Sequence, residues 1–102
     1  MNIPEPQKKG YTVYTKFGCA YCVYVKQLLK TEPHTIIECD DYLSSEGTVA
    51  FFENMQKYLI KTHKTFPLVF YKGTFIGGFV ETKKYIDAKN VSIISTKTTN
   101  KK

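Results

Sequence analysis

Apolar residues recur along this chain with two periods, and the places where one gives way to the other divide it into elements. Tyr11-Thr12-Val13-Tyr14-Thr15 alternates around Val13 and is rich in strand formers, which predicts a first strand. The period then lengthens. Cys22, Val25 and Leu29 share one stripe while Lys26 and Lys30 face away, predicting a helix over Val23 to Lys30. Glu32-Pro33 ends it, because the residue before a proline resists the helical region. His34 to Cys39, carrying Ile36 and Ile37, predicts a second strand. Asp40 to Gly47 is polar, with Ser44, Ser45 and Thr48 as candidate helix caps. Phe51, Met55 and Leu59 follow at helical spacing, with Phe52 widening the stripe, which predicts one helix of about four turns. Thr65-Phe66-Pro67 breaks the pattern. Leu68-Val69-Phe70-Tyr71 predicts a short buried strand, Lys72-Gly73 a turn, and Thr74-Phe75-Ile76 its antiparallel partner. After Gly77-Gly78, a last helix is expected from Glu81 to Lys89, its acidic residue at the positive end and its lysine near the negative end. Val91 to Ser95 fits neither period.

The resulting order, β-α-β-α-β-β-α, describes an α/β domain with a mixed sheet in which parallel pairing comes first and the hairpin last. Residues 11–95 are expected to form this domain, 1–10 a flexible lead-in and 96–102 a basic, frayed tail. The chain has 102 residues, enough for one domain with one small core. Its longest apolar run, Phe66 to Tyr71, is far short of the roughly 20 residues of a membrane helix. Met1 to Gly10 lacks the apolar block of a signal peptide. A soluble, cytoplasmic, monomeric protein is therefore expected.

The net charge of +6 is made entirely with lysine, and it is uneven. Residues 1–51 sum to −1 and residues 52–102 to +7. Lysines interleaved with aromatics, as in Lys57-Tyr58-Leu59-Ile60-Lys61-Thr62-His63-Lys64, have some look of a nucleic-acid surface. Without a single arginine there is no bidentate reader of bases or phosphates, so neither nucleic acid nor membrane is expected as a partner. A positive half does suit attraction of an anionic substrate.

Chemistry concentrates in Cys19-Ala20-Tyr21-Cys22. Two thiols three residues apart can close a disulfide without large backbone movement, and this pair lies between the first strand and the first helix. At the mouth of that helix, unpaired N–H groups and the dipole favour an anion, and a thiolate is the nucleophile of thiol–disulfide exchange. Cys22, a turn further in, shares the apolar stripe and should be the less ionised of the two. Lys16 adds positive charge before the pair. A structural zinc site needs four ligands, and only Cys39, His34 and His63 are spare, so no metal is expected. Cys39 reads as a half-buried structural thiol.

Lys16, Cys19-Ala20-Tyr21-Cys22, Thr65-Phe66-Pro67 and Gly77-Gly78, in this order and on these elements, resemble the glutaredoxin family of the thioredoxin superfamily; the likeness runs from about Tyr11 to Lys89. The chain has no tryptophan and no Gly-Pro between its cysteines, as thioredoxin proper usually has. The resemblance implies a thioredoxin-like fold, a four-stranded mixed sheet flanked by helices. It implies a glutathione-dependent thiol–disulfide oxidoreductase acting on glutathionylated and disulfide-containing proteins, with a potential of about −200 to −230 mV. Cys19 would be the attacking thiol and Cys22 the resolving one. Pro67 would follow a cis peptide bond, with the backbone of Phe66 against the cysteinyl part of glutathione. Gly78 would allow close approach of the ligand, Val80 and Glu81 would lie at its γ-glutamyl end, Tyr21 would touch it, and Lys64, preferred to His63, would meet its glycyl carboxylate. Four departures stand out: Ala20 for the usual proline, Phe66 for valine, Val80 for a small polar residue and Glu81 for aspartate. Two alternatives accompany this reading. One is a [2Fe–2S] cluster held between two subunits by Cys19 and glutathione, which Ala20 permits. The other is a thioredoxin-like reductant of a dedicated partner such as ribonucleotide reductase.

Overall fold

The computed structural model describes residues 2–97 in backbone, and all of these except 46 and 90–97 in side chain. Four strands, β1 (Tyr11–Thr15), β2 (His34–Glu38), β3 (Leu68–Tyr71) and β4 (Thr74–Gly77), form one sheet in the order β2-β1-β3-β4. β1 pairs parallel with β2, with Val13 opposite Ile36, and antiparallel with β3, with Val13 opposite Val69. β3 and β4 form the antiparallel hairpin, with an irregularity between Val69 and Phe70. Its turn is Lys72-Gly73, both residues at positive φ (51° and 84°), as a tight turn matched to the strand twist requires.

All five residues of β1 are buried, because helices cover both faces of the sheet. Alternation along β1 splits the core in two. Tyr11 and Val13 join Val25, Leu29 and Val69, where α1 (Ala20–Leu28) and α4 (Phe79–Lys97) pack. Tyr14 joins Cys39, Phe51, Phe52, Met55, Leu68, Phe70 and Phe75, under α2 (Asp40–Glu46) and α3 (Thr48–Met55). Residues 2–10 contain neither helix nor strand. They lie along the second core, where the Tyr14 hydroxyl donates to Pro4 O (2.6 Å) and the Gln7 N–H to Thr12 Oγ1 (2.9 Å). No helix among the described residues is long and apolar enough to cross a membrane.

Three helices differ from expectation. α1 begins at Ala20, three residues earlier than the apolar stripe suggests, so it takes in Cys22 and leaves Cys19 as its cap. The helix expected around Phe51 is shorter than its stripe, and the polar stretch before it, read as caps, is itself the helix α2. Gly47, at φ 89°, ends α2 and precedes α3, and a 3₁₀ turn, Gln56–Tyr58, follows α3. A positive φ is costly for any side-chain-bearing residue, so the break falls at the glycine. Phe51 and Met55 are buried as the stripe requires, but Leu59 lies beyond the helix in extended backbone. Ser44 and Ser45 do not cap. Their hydroxyls donate back to Asp40 O (2.9 Å) and Asp41 O (3.0 Å) inside α2. α4 starts at Phe79 and runs to Lys97, so Val91 to Ser95, Thr96 and Lys97 are helical; the rest of the expected tail, 98–102, lies outside the described residues.

Candidate redox site

Cys19 occupies the N-cap of α1 with extended backbone (φ −105°, ψ 110°), and its Sγ accepts the Cys22 N–H at 3.1 Å. The sulfur stands where serine or aspartate oxygens usually satisfy the first-turn N–H groups, so negative charge on it is met by a donor and by the helix dipole. Cys19 is half-buried, open enough to meet a substrate. Cys22 is 1% exposed beside fully buried Val25 and Leu29. Burial pushes its thiol well above the ordinary range, with the Cys19 hydrogen bond adding to the shift; a backbone hydrogen bond from Lys16 and the charge of Lys26 oppose it only in part. The two thiols thus divide into an accessible nucleophile and a protected partner one turn behind it.

The approach to Cys19 is tied down from α2. The Phe17 N–H donates to both carboxylate oxygens of Asp40 (3.0 and 3.3 Å), and the Cys39 N–H donates to Thr15 O (2.9 Å). Asp40 escaped the sequence reading; its signal was an acidic residue just after a strand parallel to β1, which brings it beside the end of β1. Cys39 is fully buried and its thiol is raised to about 12, chiefly by burial.

Lys16 is exposed, and its ammonium lies 5.9 Å from the centroid of the Phe66 ring. Lys26 is the lysine whose charge bears on Cys22, and it pairs with Glu38 at 3.3 Å. Beside the thiol end lies a groove of about 210 Å³, bounded by Tyr21, His63, Thr65, Phe66, Pro67, Gly78, Phe79, Val80 and Glu81. The Phe66–Pro67 bond is cis, as the resemblance implies. The Phe66 ring points away to Phe51 and Phe52 (centroids 5.2 and 5.3 Å), so the larger side chain is absorbed by the core under α3. Tyr21 stacks on Phe79 at 5.8 Å with the ring planes 27° apart, and Tyr24 adds a third ring. Phe79, missed from sequence, sits directly after the two glycines and lines the groove.

The structure places two of the expected site features more closely. Lys64 is not among the groove's residues. It lines a separate cavity with Thr48, Val49, Phe52, Glu53, Gln56 and Thr62. His63 is in the groove instead, its ring edge-on to Phe75 at 5.2 Å. Along this segment His63 and Thr65 line the groove, whereas Lys64 lines the cavity beside α3 and the Phe66 ring packs on Phe51 and Phe52. The two glycines also separate in role. Gly77 has φ 140°, and a Cβ there would lie 2.7 Å from Glu81 Cβ and Cγ. It makes room for Glu81 rather than for a ligand. A Cβ on Gly78 would meet Pro67 O, Glu81 Oε1 and His63 Cε1 at 3.5–3.6 Å, inside the groove itself.

Glu81 folds back over the start of α4. Its Oε1 accepts the Gly78 N–H at 2.9 Å, and the Thr82 N–H and hydroxyl donate to Gly78 O (3.0 and 2.8 Å). This is the carboxylate half of a capping box. It holds the carboxyl below its usual range, through the Gly78 N–H first and its own N–H second, with Lys61 and His63 contributing charge. Among the described residues, no three His, Cys, Asp or Glu side chains converge as a metal centre requires.

The family model described as Glutaredoxin matches residues 11–76. A search of curated proteins found no match. Among solved structures, the chain is 30% identical to glutaredoxin 1 from Francisella tularensis, covering 78% of this chain and 93% of that one at a TM-score of 0.67. It is 29% identical to a buckwheat glutaredoxin solved as a glutathione complex, covering 84% and 76% at a TM-score of 0.60. The dithiolic glutaredoxin 2-C-Grx1 of Trypanosoma brucei brucei, 24% identical over 82% and 84% at a TM-score of 0.64, shares the fold. With the accessible cap sulfur, its buried partner and the groove beside them, the matched residues make the conclusion plain: the chain belongs to the glutaredoxin family, and its chemistry is that of a thiol–disulfide oxidoreductase.

Proposed function

We propose that the protein is a glutathione-dependent thiol–disulfide oxidoreductase that reduces glutathione mixed disulfides and, with both thiols, protein disulfides. The observation that carries this is the Cys19 sulfur, held as an N-cap acceptor by the Cys22 N–H at the edge of a groove of about 210 Å³. Cys19 thiolate attacks the glutathione sulfur of a mixed disulfide. A Cys19–glutathione disulfide forms, and the substrate sulfur leaves as a thiolate that takes a proton from water. A second glutathione thiolate then attacks that disulfide, which restores Cys19 and yields oxidised glutathione. On a protein disulfide, Cys19 forms the mixed disulfide. Cys22 then gives up its proton and attacks Cys19, releasing the second substrate thiol and leaving the Cys19–Cys22 disulfide for two glutathiones to reduce. Burial of Cys22 keeps it a thiol until that second step. The buckwheat relative's glutathione complex supports the choice of reductant.

The test is turnover of a mixed disulfide between glutathione and a small thiol. Cys19→Ser should abolish it, a loss of about a thousandfold or more, while Cys22→Ser should keep much of it. Activity surviving in Cys19→Ser, or glutathione failing to support turnover of the wild type, would sink the proposal.

A further inference from the structure

Burial protects Cys22 and also obstructs it. To act in the second step it must shed a proton and carry negative charge from a site only 1% exposed, where its thiol already sits well above the ordinary range. Its surroundings on two elements offer no charge. Val25 and Leu29, along α1, are apolar and fully buried, and Cys39, just after β2, is a neutral thiol. Lys16 directs its ammonium to the Phe66 ring, 5.9 Å from the centroid. Lys26 is placed differently. It follows Cys22 by four residues, in the last turn of α1, so the two share one face of the helix. Its Nζ lies 3.3 Å from Glu38 Oε2, and Glu38 Oε1 accepts the hydroxyl of fully buried Thr15 at 3.1 Å. The next residue, Lys16, gives its backbone hydrogen bond to Cys22. The contacts therefore close a circuit, from Cys22 through the end of β1 to Glu38, across to Lys26, and back along α1 to Cys22.

We infer that Lys26 and Glu38 together set the rate of the second step: the ammonium of Lys26 favours the Cys22 thiolate as it forms, and the carboxylate of Glu38 restrains that help. The inference rests on Cys22 as the resolving thiol and does not depend on glutathione as the reductant. In this step Cys22 loses its proton to water and its sulfur bonds to Cys19 Sγ. The bond from Cys19 to the substrate sulfur breaks, and the departing thiolate takes up a proton. Negative charge thus appears at Cys22 only during the step, which is where a fixed cation on the same helix face acts. Lys26 and Glu38 are partly exposed, at 37% and 60%, so water screens the effect without removing it. Because the two side chains carry opposite charge, removing one and removing the other should move the rate in opposite directions. A role confined to holding α1 against β2 would make both removals act alike.

The test isolates the step with one equivalent of methyl methanethiosulfonate, an uncharged reagent, mixed with the reduced protein at pH 7. The Cys19 thiolate attacks the reagent's sulfenyl sulfur and expels methanesulfinate, which leaves a methylthio group on Cys19. Cys22 then closes the Cys19–Cys22 disulfide and releases methanethiol. Acid quenching and mass spectrometry follow the adduct as it gives way to the closed disulfide. Lys26→Gln should slow closure about twofold and Glu38→Gln, which keeps an oxygen for the Thr15 hydroxyl, should speed it about twofold. The changes are small because the charges are screened and because a more basic thiolate, though scarcer, attacks better. Lys26→Arg should restore the wild-type rate, and Lys30→Gln, beyond the end of α1, should keep it. Closure slowed by both charge removals, changed by neither, equally slowed in Lys30→Gln, or not restored by arginine would overturn the inference while leaving Cys22 as the resolving thiol. An adduct that persists in the wild type as it does in Cys22→Ser would overturn the resolving role itself, and the inference with it.

Discussion

The thiol end of the site and the ligand wall beside it are built differently. At the thiol end, one helix supplies almost everything: Cys19 caps it, the Cys22 N–H holds the sulfur, and Val25 and Leu29 bury Cys22's side of it. The ligand wall has no such single source. His63 and Thr65 come from the segment before β3, Pro67 from its end, and Gly78 to Glu81 from the start of α4, and they meet only because β3 and β4 are paired. A change at the thiol end should therefore alter chemistry and leave the fold alone. A change in the wall should alter stability and binding together, since each wall residue also supports a neighbour.

Selective alkylation probes the thiol end most sharply after the cysteine substitutions already described. Cys22 is 1% exposed and Cys39 fully buried, and burial raises both thiols. In the reduced protein at pH 7.5, iodoacetamide should modify Cys19 at least about a hundredfold faster than either. Mass mapping of the labelled peptides checks this. Labelling of Cys22 at a comparable rate would erase the division of labour between the two sulfurs.

In the wall, the two adjacent glycines are the sharpest probe. Gly77→Ala forces a side chain into φ 140° and into contact with Glu81, which should cost about 3 kcal/mol. Gly78→Ala meets only ordinary contacts, so its cost should stay within about 0.5 kcal/mol, while its methyl enters the groove and weakens S-methylglutathione binding. Urea unfolding and calorimetry separate the two. Adding Glu81→Ala to Gly77→Ala should recover only part of the steric loss, because the Cβ of residue 81 remains 2.7 Å away, and none of the backbone part. If the two glycine variants lost equal stability, the separate roles given to them would be wrong.

The same contrast explains what the sequence disclosed. The succession of elements, the accessible Cys19 and buried Cys22, the Thr65-Phe66-Pro67 break and the hairpin at Lys72-Gly73 are local signals, carried by period and turn chemistry within a few residues. The end of the central helix at Met55 was hidden because Phe51, Met55 and Leu59 keep a helical rhythm past it, and α2 was hidden because Asp40 to Glu46 is mostly polar. The side chosen by Lys64 and His63 depends on which way Pro67 enters β3, which only the assembled sheet decides. Glu81's use of its carboxylate on Gly78 was hidden because the longer arm that distinguishes it from aspartate lets it reach back to its own helix start. Asp40 was hidden because its partner, Phe17, is on another strand's exit loop.

Asp40 links the two regions, since it holds the loop before Cys19 from α2. Removing its carboxylate frees the Phe17 N–H to water, and Asp40→Ala should cost about 1 kcal/mol, lowering the melting temperature by about 4–8 °C. It should also slow Cys19 alkylation about twofold, the scale of a loosened loop rather than of lost chemistry. Asp41 shares the first turn of α2, yet the Phe17 bonds belong to Asp40. Asp41→Ala should lose only the dipole part, about 0.5 kcal/mol, and leave Cys19 reactivity unchanged. An equal or larger loss in Asp41→Ala would mean that helix electrostatics, not the tether to Phe17, explains the effect.

The smallest expected effect tests whether the wall's carboxylate serves the fold as well as the ligand. Glu81 is held below its usual titration range, chiefly by the Gly78 N–H. A carboxyl with a depressed folded-state pKa stabilises the protein above its unfolded value, about 4.3, and loses that contribution as the pH falls through the folded value. Glu81 is half-buried and its contacts are screened, so the contribution should be about 0.5 kcal/mol at pH 7. Glu81→Gln keeps the length of the side chain and an oxygen for the Gly78 N–H while removing the charge. The stability gap between wild type and variant, measured by urea unfolding, should be open at pH 7 and close as the pH falls through the carboxyl's lowered folded-state range. A gap that widens toward acid would show that the carboxylate is strained against His63 and the groove rather than welcomed by the helix. The wall would then be a binding surface kept at the fold's expense, not one whose cap and ligand contacts support each other.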